Sequence, residues 1–137
     1  MNKICTSLEQ SKKLIELGVD VDTSDMVYLR SYFEDEGEYN LLVGSYHEGY
    51  MEKDDGTLIQ IFDEHIPAWS LAALIDILPR FIEFKGDKYY LRFMKEYVEY
   101  ANDEVSITGR CLHTTGNDNL VDACCEMIIK LKELNRL

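Results

Sequence analysis

Between residues 26 and 114 the chain alternates short β-branched and aromatic runs with turn residues, and this punctuation constrains the fold more than any other feature. Asp54-Asp55-Gly56 separates runs at 50–53 and 57–62, and Asp-Gly supplies the positive φ angles of a tight hairpin turn. Runs at 26–33 and 39–46 flank an acidic loop as a further hairpin. A third surrounds Gly86-Asp87, with strands at 80–84 and 88–94, and pairing across a II′ turn there sets Phe84 beside Tyr89 and Ile82 beside Leu91. Alternation then puts Tyr89, Leu91 and Phe93 in the core and Lys88, Tyr90 and Arg92 on the other face. A last strand over 105–114 carries Val105, Ile107, Cys111 and His113 on one side.

Three helices interrupt or flank these strands. The first spans 7–17, with Thr6 and Glu9 spaced as a capping box and Gly18 as its stop. The second spans 71–78, capped by Ser70 and ended by Pro79, with Leu71, Leu74, Ile75 and Leu78 on one stripe. Trp69, beside its start, reads as a core anchor. The third starts near Asn119 and covers 120–134. Its apolar arc combines Leu120, Cys124, Met127, Leu131 and Leu134 with Val121, Cys125, Ile128 and Ile129. An arc so broad needs cover from the sheet and from either another helix or a second subunit. The expected fold is α+β, a mostly antiparallel hairpin-built sheet packed against three helices. At 137 residues it is one domain, with an acidic β-rich part at 19–64 and a charge-balanced part at 65–137.

Segments Ile4-Cys5-Thr6-Ser7 with Glu9-Gln10-Ser11-Lys12-Lys13-Leu14, Ile66-Pro67-Ala68-Trp69-Ser70-Leu71 through Leu78-Pro79, and Val121-Asp122-Ala123-Cys124 with Glu126-Met127-Ile128-Ile129-Lys130-Leu131 resemble a family of small uncharacterised proteins. That family is encoded in phages, prophages and mobile regions of gut anaerobic bacteria. The resemblance covers the helices, and Pro67-Ala68-Trp69-Ser70 is its most specific part. It implies a shared scaffold and a mobile-element origin, and it carries no activity, cofactor or catalytic residue.

Charge is the strongest functional signal. The formal net charge is −12, and residues 16–64 hold 14 acids against only Arg30 and Lys53. The remaining 12 acids and 12 bases balance, so the whole excess lies in the first β region. Such a chain is repelled by phosphate backbones and anionic lipid, and neither nucleic acid nor membrane is expected as a partner. Glu34, Asp35, Glu36 and Glu38, with Asp54 and Asp55, form a candidate acidic partner surface, which either imitates a nucleic-acid backbone or keeps edge strands soluble. Arg80, Lys85, Lys88, Arg92 and Lys95 interleave with aromatic residues, a pattern that can stack single-stranded bases, but alternation leaves mainly Tyr90 free to do so. The opposed charges equally suit head-to-tail self-association.

Chemistry-bearing constellations are sparse. Cys111 and His113, two apart on one strand, could face the same way and begin a metal site, yet zinc needs three or four ligands. The same two residues could be drawn as a nucleophile pair, without a visible oxyanion site. His47-Glu48 and Asp63-Glu64-His65 read as solvated loops lacking metallopeptidase spacing. Asp20, Asp22 and Asp25 lack the rest of a calcium loop. Residues 114–119 read as a helix-capping loop. Cys5, Cys111, Cys124 and Cys125 show no Cys-x-x-Cys spacing and read as reduced thiols. With no apolar signal-peptide core and no apolar run near 20 residues, a cytoplasmic protein is expected. No cofactor is expected. The functional expectation is a non-enzymatic protein that binds a protein partner or itself, as a homo-oligomer through the last helix or an edge strand. The alternatives are an acidic decoy that inhibits a nucleic-acid-binding protein, and a metal-dependent enzyme using Cys111 and His113.

Overall fold

The computed structural model describes residues 3–31, 39–44, 50–52, 54–56, 58–60, 62–95, 97–102, 111–116 and 119–137. The order is α1 (Leu8–Glu16), a short 3-10 turn (Val21–Thr23), β1 (Met26–Ser31), β2 (Tyr39–Val43), β3 (Tyr50–Glu52), β4 (Leu58–Gln60), β5 (Phe62–Ala68), α2 (Leu71–Ile77), β6 (Phe81–Phe84), β7 (Asp87–Phe93), β8 (Tyr97–Ala101), β9 (Cys111–Gly116) and α3 (Leu120–Glu133). The fold is α+β. Its antiparallel strands form a three-stranded sheet β2-β1-β5, a hairpin β3-β4 and a four-stranded sheet β6-β7-β8-β9.

Local chemistry explains the helix ends. The α1 cap is Ser7 and not Thr6: Gln10 N–H donates to Ser7 Oγ at 3.2 Å, and Gln10 Oε1 accepts from Ser7 N–H at 2.9 Å. Thr6 instead lies fully buried beneath Trp69. Gly18, at φ 89°, closes α1 with its N–H on Ile15 O and the Val19 N–H on Leu14 O. At the end of α3 Asn135 plays the same part at φ 56°, with Asn135 N–H on Lys132 O and Arg136 N–H on Leu131 O.

The arc of α3 is covered within the chain. Val121, Ala123, Cys124, Cys125, Met127, Ile128 and Leu131 are all buried, packed against α1, α2, β8 and β9. Of the two covers its width requires beside the sheet, other helices are the one in place, with Leu120 and Ile129 partly buried and Leu134 at its end half exposed. Trp69 is the anchor its position suggested, fully buried, with Nε1 donating to Thr23 Oγ1 at 2.9 Å.

Two strands differ from expectation. Asp63-Glu64-His65, expected as a loop, belongs to β5, which pairs with β1 from Ala68 opposite Met26. β8 is buried on both faces from Val98 to Ala101, so it shows no alternation of apolar and polar residues. The hairpin β6-β7 turns at Lys85-Gly86, φ 52° and 84°, instead of Gly86-Asp87. Ile82 consequently faces Tyr89 and Phe84 faces Asp87, two residues from the expected register. Phe93, expected in the core, is exposed at the end of β7.

Candidate functional site

The residues expected to begin a metal site do not share a face. Tyr100 pairs with His113 but Ala101 pairs with Cys111, so a bulge takes up Leu112 and reverses the alternation between the two side chains. Cys111 is exposed, with Sγ 2.6 Å from Thr114 Oγ1 and 3.5 Å from Glu99 Oε2. His113 is buried on the other side, where burial, with Lys130 and Arg136 nearby, pushes its imidazole below the ordinary 6.5. Partial burial holds the Cys111 thiol above its usual value, and the Glu99 carboxylate acts in the same direction. The pair is thus neither a two-ligand clamp nor an activated nucleophile with its base. Val105 and Ile107 lie outside the described residues. Among the described residues no group of three or more His, Cys, Asp or Glu could hold a metal ion.

The Asp20, Asp22 and Asp25 group is structural. Asp20 Oδ1 accepts from Asp22 N–H at 3.0 Å, and Asp25 accepts from the Ser70 N–H at 2.8 Å and pairs with the Ser70 hydroxyl. At the start of α3, Asp122 accepts from Lys3 Nζ at 2.6 Å, Gln10 Nε2 at 2.7 Å and Asn119 Nδ2 at 2.8 Å. Burial alone would raise its carboxyl pKa, but these donors hold it below the ordinary value. Of the residues 114–119, expected as a capping loop, Thr114–Gly116 instead belong to β9, and Asn119 caps α3: Asp122 N–H donates to Asn119 Oδ1 at 2.9 Å.

Of the acidic partner surface, Asp54 and Asp55 are exposed in the turn between β3 and β4. Glu34, Asp35, Glu36 and Glu38 lie outside the described residues, as does His47-Glu48. In sequence, Glu38 immediately precedes β2.

What sequence reasoning missed is the state of the sheet edges. Gly44 N–H donates to Asp25 O at 2.8 Å, which makes Asp25 and Gly44 a hydrogen-bonded antiparallel pair. Successive residues point their main-chain groups to opposite sides, so those of Tyr39, Leu41 and Val43 point away from β1. No described strand meets them there. Leu42 is 48% exposed and Val43 86%. Likewise, Leu91 N–H donates to Arg80 O at 2.9 Å, so the main-chain groups of Phe81 and Glu83 point outward from β6. Beside that edge an open cleft of about 550 Å³ lies between Pro79, Phe81, Ile82 and Glu83 and the residues that follow α3, Leu134, Asn135 and Arg136. By contrast, the outer edge of β5 is blunted. Pro67 has no N–H to offer at an outward position, and the chain at Cys5 and Thr6 pairs with Ser70 and Trp69 just beyond the strand. The run Leu41-Leu42-Val43, apolar on both faces, was the one sequence signal of an unusual edge.

No family model, curated protein or solved structure matches the chain. Among the described residues no helix is long and apolar enough to cross a membrane.

Proposed function

We propose that the protein is a non-enzymatic interaction protein that binds other protein chains, itself included, by strand addition at its open sheet edges. The observation that carries this reading is the β2 edge, where outward main-chain groups at Tyr39, Leu41 and Val43 lie beside the 86% exposed Val43 side chain. Unpaired strand edges template pairing with another strand, main-chain hydrogen bonds giving affinity and alternate side chains giving selectivity. The four free thiols fit a reducing cytoplasm, and the mobile-element origin is supported by the resemblance of the three helical segments alone.

Exposed Asp54 and Asp55, within the acidic window, favour one second reading, an acidic decoy for a nucleic-acid-binding protein. Wild type and a doubly edge-charged variant, Leu42→Lys with Phe81→Lys, distinguish the two when sedimentation over a concentration series is combined with capture from a host lysate. Edge binding is expected to give associated or captured protein with wild type and much less with the variant. The reading fails if wild type sediments as one chain throughout and both proteins capture the same set. A basic nucleic-acid-handling protein captured equally by both, and lost from an Asp54→Asn, Asp55→Asn variant, would select the decoy.

A further inference from the structure

Among the described strands, β2, β3, β4, β6 and β9 lie at an edge besides the blunted β5. Tyr39–Val43 of β2 and Cys111–Gly116 of β9 contain no Asp, Glu, Lys or Arg, and the strands of the β3-β4 hairpin carry Glu52 alone. Cations gather instead at β6. Lys88 faces Glu83 across the hairpin, yet its Nζ lies over the Phe81 ring, 4.6 Å from the centroid. Lys85 Nζ and Arg136 Cζ lie 5.3 and 4.5 Å from the centroid of Phe84. Among the described residues no carboxylate pairs with Arg80, Lys85, Lys88 or Arg136. The hairpin and the end of α3 with the residues after it, 80–88 and 130–136, together hold six bases and three acids. Beside them the 550 Å³ cleft is open, with half-exposed Phe81 and Leu134 as its apolar walls. β6 is thus the edge at which outward main-chain groups, positive charge without a partner and an open cleft coincide.

Resting on the edge-binding reading, we infer that β6 is the strand to which a partner protein adds an extended acidic segment, as a fifth strand outside β6-β7-β8-β9. The N–H and C=O of Phe81 and of Glu83 face that segment and bond to its main chain. Its side chains alternate between the two faces of the sheet. On one face its carboxylates meet Lys88, which lies on Phe81; on the other they meet Arg136, which lies on Phe84. Glu83, beside Lys88 on the first face, is the opposing charge and limits the affinity. A second β6 edge is a poor occupant, because it brings the same cations. Single-stranded nucleic acid fits less well too. Its bases need open ring faces, which cations already occupy on Phe81 and Phe84, and its phosphates offer no N–H to the outward carbonyls.

The probe is a fluorescent peptide of about eight residues that alternates glutamate and threonine, a little longer than a typical strand. A lysine–threonine peptide tests charge, and the acidic peptide N-methylated throughout tests main-chain bonding. Wild type is expected to bind the acidic peptide about tenfold more tightly than either control. Lys88→Gln with Arg136→Gln is expected to weaken that binding by roughly three- to thirtyfold, with far-UV circular dichroism and melting to check the fold. Glu83→Gln is expected to tighten it by roughly two- to fivefold, a gain that a folding defect does not produce. With the acidic peptide at saturation, amide exchange is expected to slow at Phe81 and Glu83. Acidic and basic peptides bound alike, a methylated peptide bound as tightly, no gain from Glu83→Gln, or protection in β2 or β9 in place of β6 each overturns the inference. So does a single-stranded oligothymidylate that binds more tightly than the acidic peptide. Edge binding survives any of these results if the Leu42→Lys, Phe81→Lys variant still loses association or capture. If that variant also matches wild type, the underlying reading falls as well.

Discussion

Replacing Thr6 by Val is expected to destabilise the protein although the two side chains have nearly the same shape. Thr6 is fully buried; its Oγ1 accepts from the Trp69 N–H at 3.1 Å and shares a bond of 2.8 Å with the buried Ser11 hydroxyl. The Thr6 N–H donates to Trp69 O at 2.9 Å, and that bond survives the substitution. Valine fills the space, so no cavity term enters. What remains is a buried, unpaired Trp69 N–H at about 1–3 kcal/mol and a Ser11 hydroxyl deprived of its partner at about 1 kcal/mol. Exchanging hydroxyl for methyl returns about 1 kcal/mol of transfer energy, leaving a net loss of roughly 2 kcal/mol. Thr6→Ser keeps both hydrogen bonds and loses one methyl, about 1 kcal/mol. Urea unfolding, followed by the near-UV signal of Trp69, is expected to rank wild type above Ser above Val with unchanged slopes. The Val melting point should fall by roughly 5–10 °C. If Val equals wild type, or exceeds Ser, the hydroxyl is not the group that joins residue 6 to the start of α2.

Two further outcomes follow from burial. Cys124 and Cys125 are fully buried, with thiols pushed up to about 11 and about 12 by desolvation, and Cys5 is 3% exposed. Iodoacetamide at about pH 8 is therefore expected to add a single group to the native protein, on Cys111, and four after unfolding; a native count above one, read by intact mass, contradicts the packing around α3. Because the folded pKa of His113 is lowered by burial and by Lys130 and Arg136, the unfolded chain takes up that proton first as pH falls. Stability thus rises with pH through the interval just below about 6.5 and is flat above it for this group. His113→Gln is expected to lose stability less steeply than wild type on acidification through that interval, and equal slopes in pH-dependent urea melts would remove His113 as the cause.

Features set by neighbours in the chain were legible, and features set by distant strands were not. Ser70 and Pro79 bracket α2, Gly18 stops α1 and Asn119 opens α3 as their residue types require, because a cap needs only groups within one turn. Thr6 and Ser7 are both competent caps, and the choice fell to Ser7 because Trp69 and Ser11 claim the Thr6 hydroxyl. β5 and β8 are hidden for a different reason: Pro67 looks like a break, and Tyr97–Ala101 lacks alternation, with Glu99 buried on the outer face against Arg92. The bulge at Leu112 reversed the faces of Cys111 and His113, and nothing in Cys-Leu-His announces a bulge. The width of the α3 arc was plain from sequence, but its cover by α1 and α2 depends on how three helices meet the sheet. Charge placement was likewise legible, whereas edge status depends on strand order.

The edges of β2, β5 and β6 are managed by different means, and the difference bears on function. β5 is closed by covalent structure and by backbone, through Pro67 and the pairing at Cys5 and Thr6, and neither depends on solvent. β6 is guarded by charge, through cations stacked on Phe81 and Phe84. At β2 the charged side chain in place is Arg30, whose guanidinium lies 5.6 Å from the Tyr39 ring. Charge therefore discourages two β6 edges from pairing with each other, and that protection weakens as the Debye length shrinks. Added salt removes the guard on β6, whereas at β2 the apolar Leu42 and Val43 side chains and the outward main-chain groups dominate the contact.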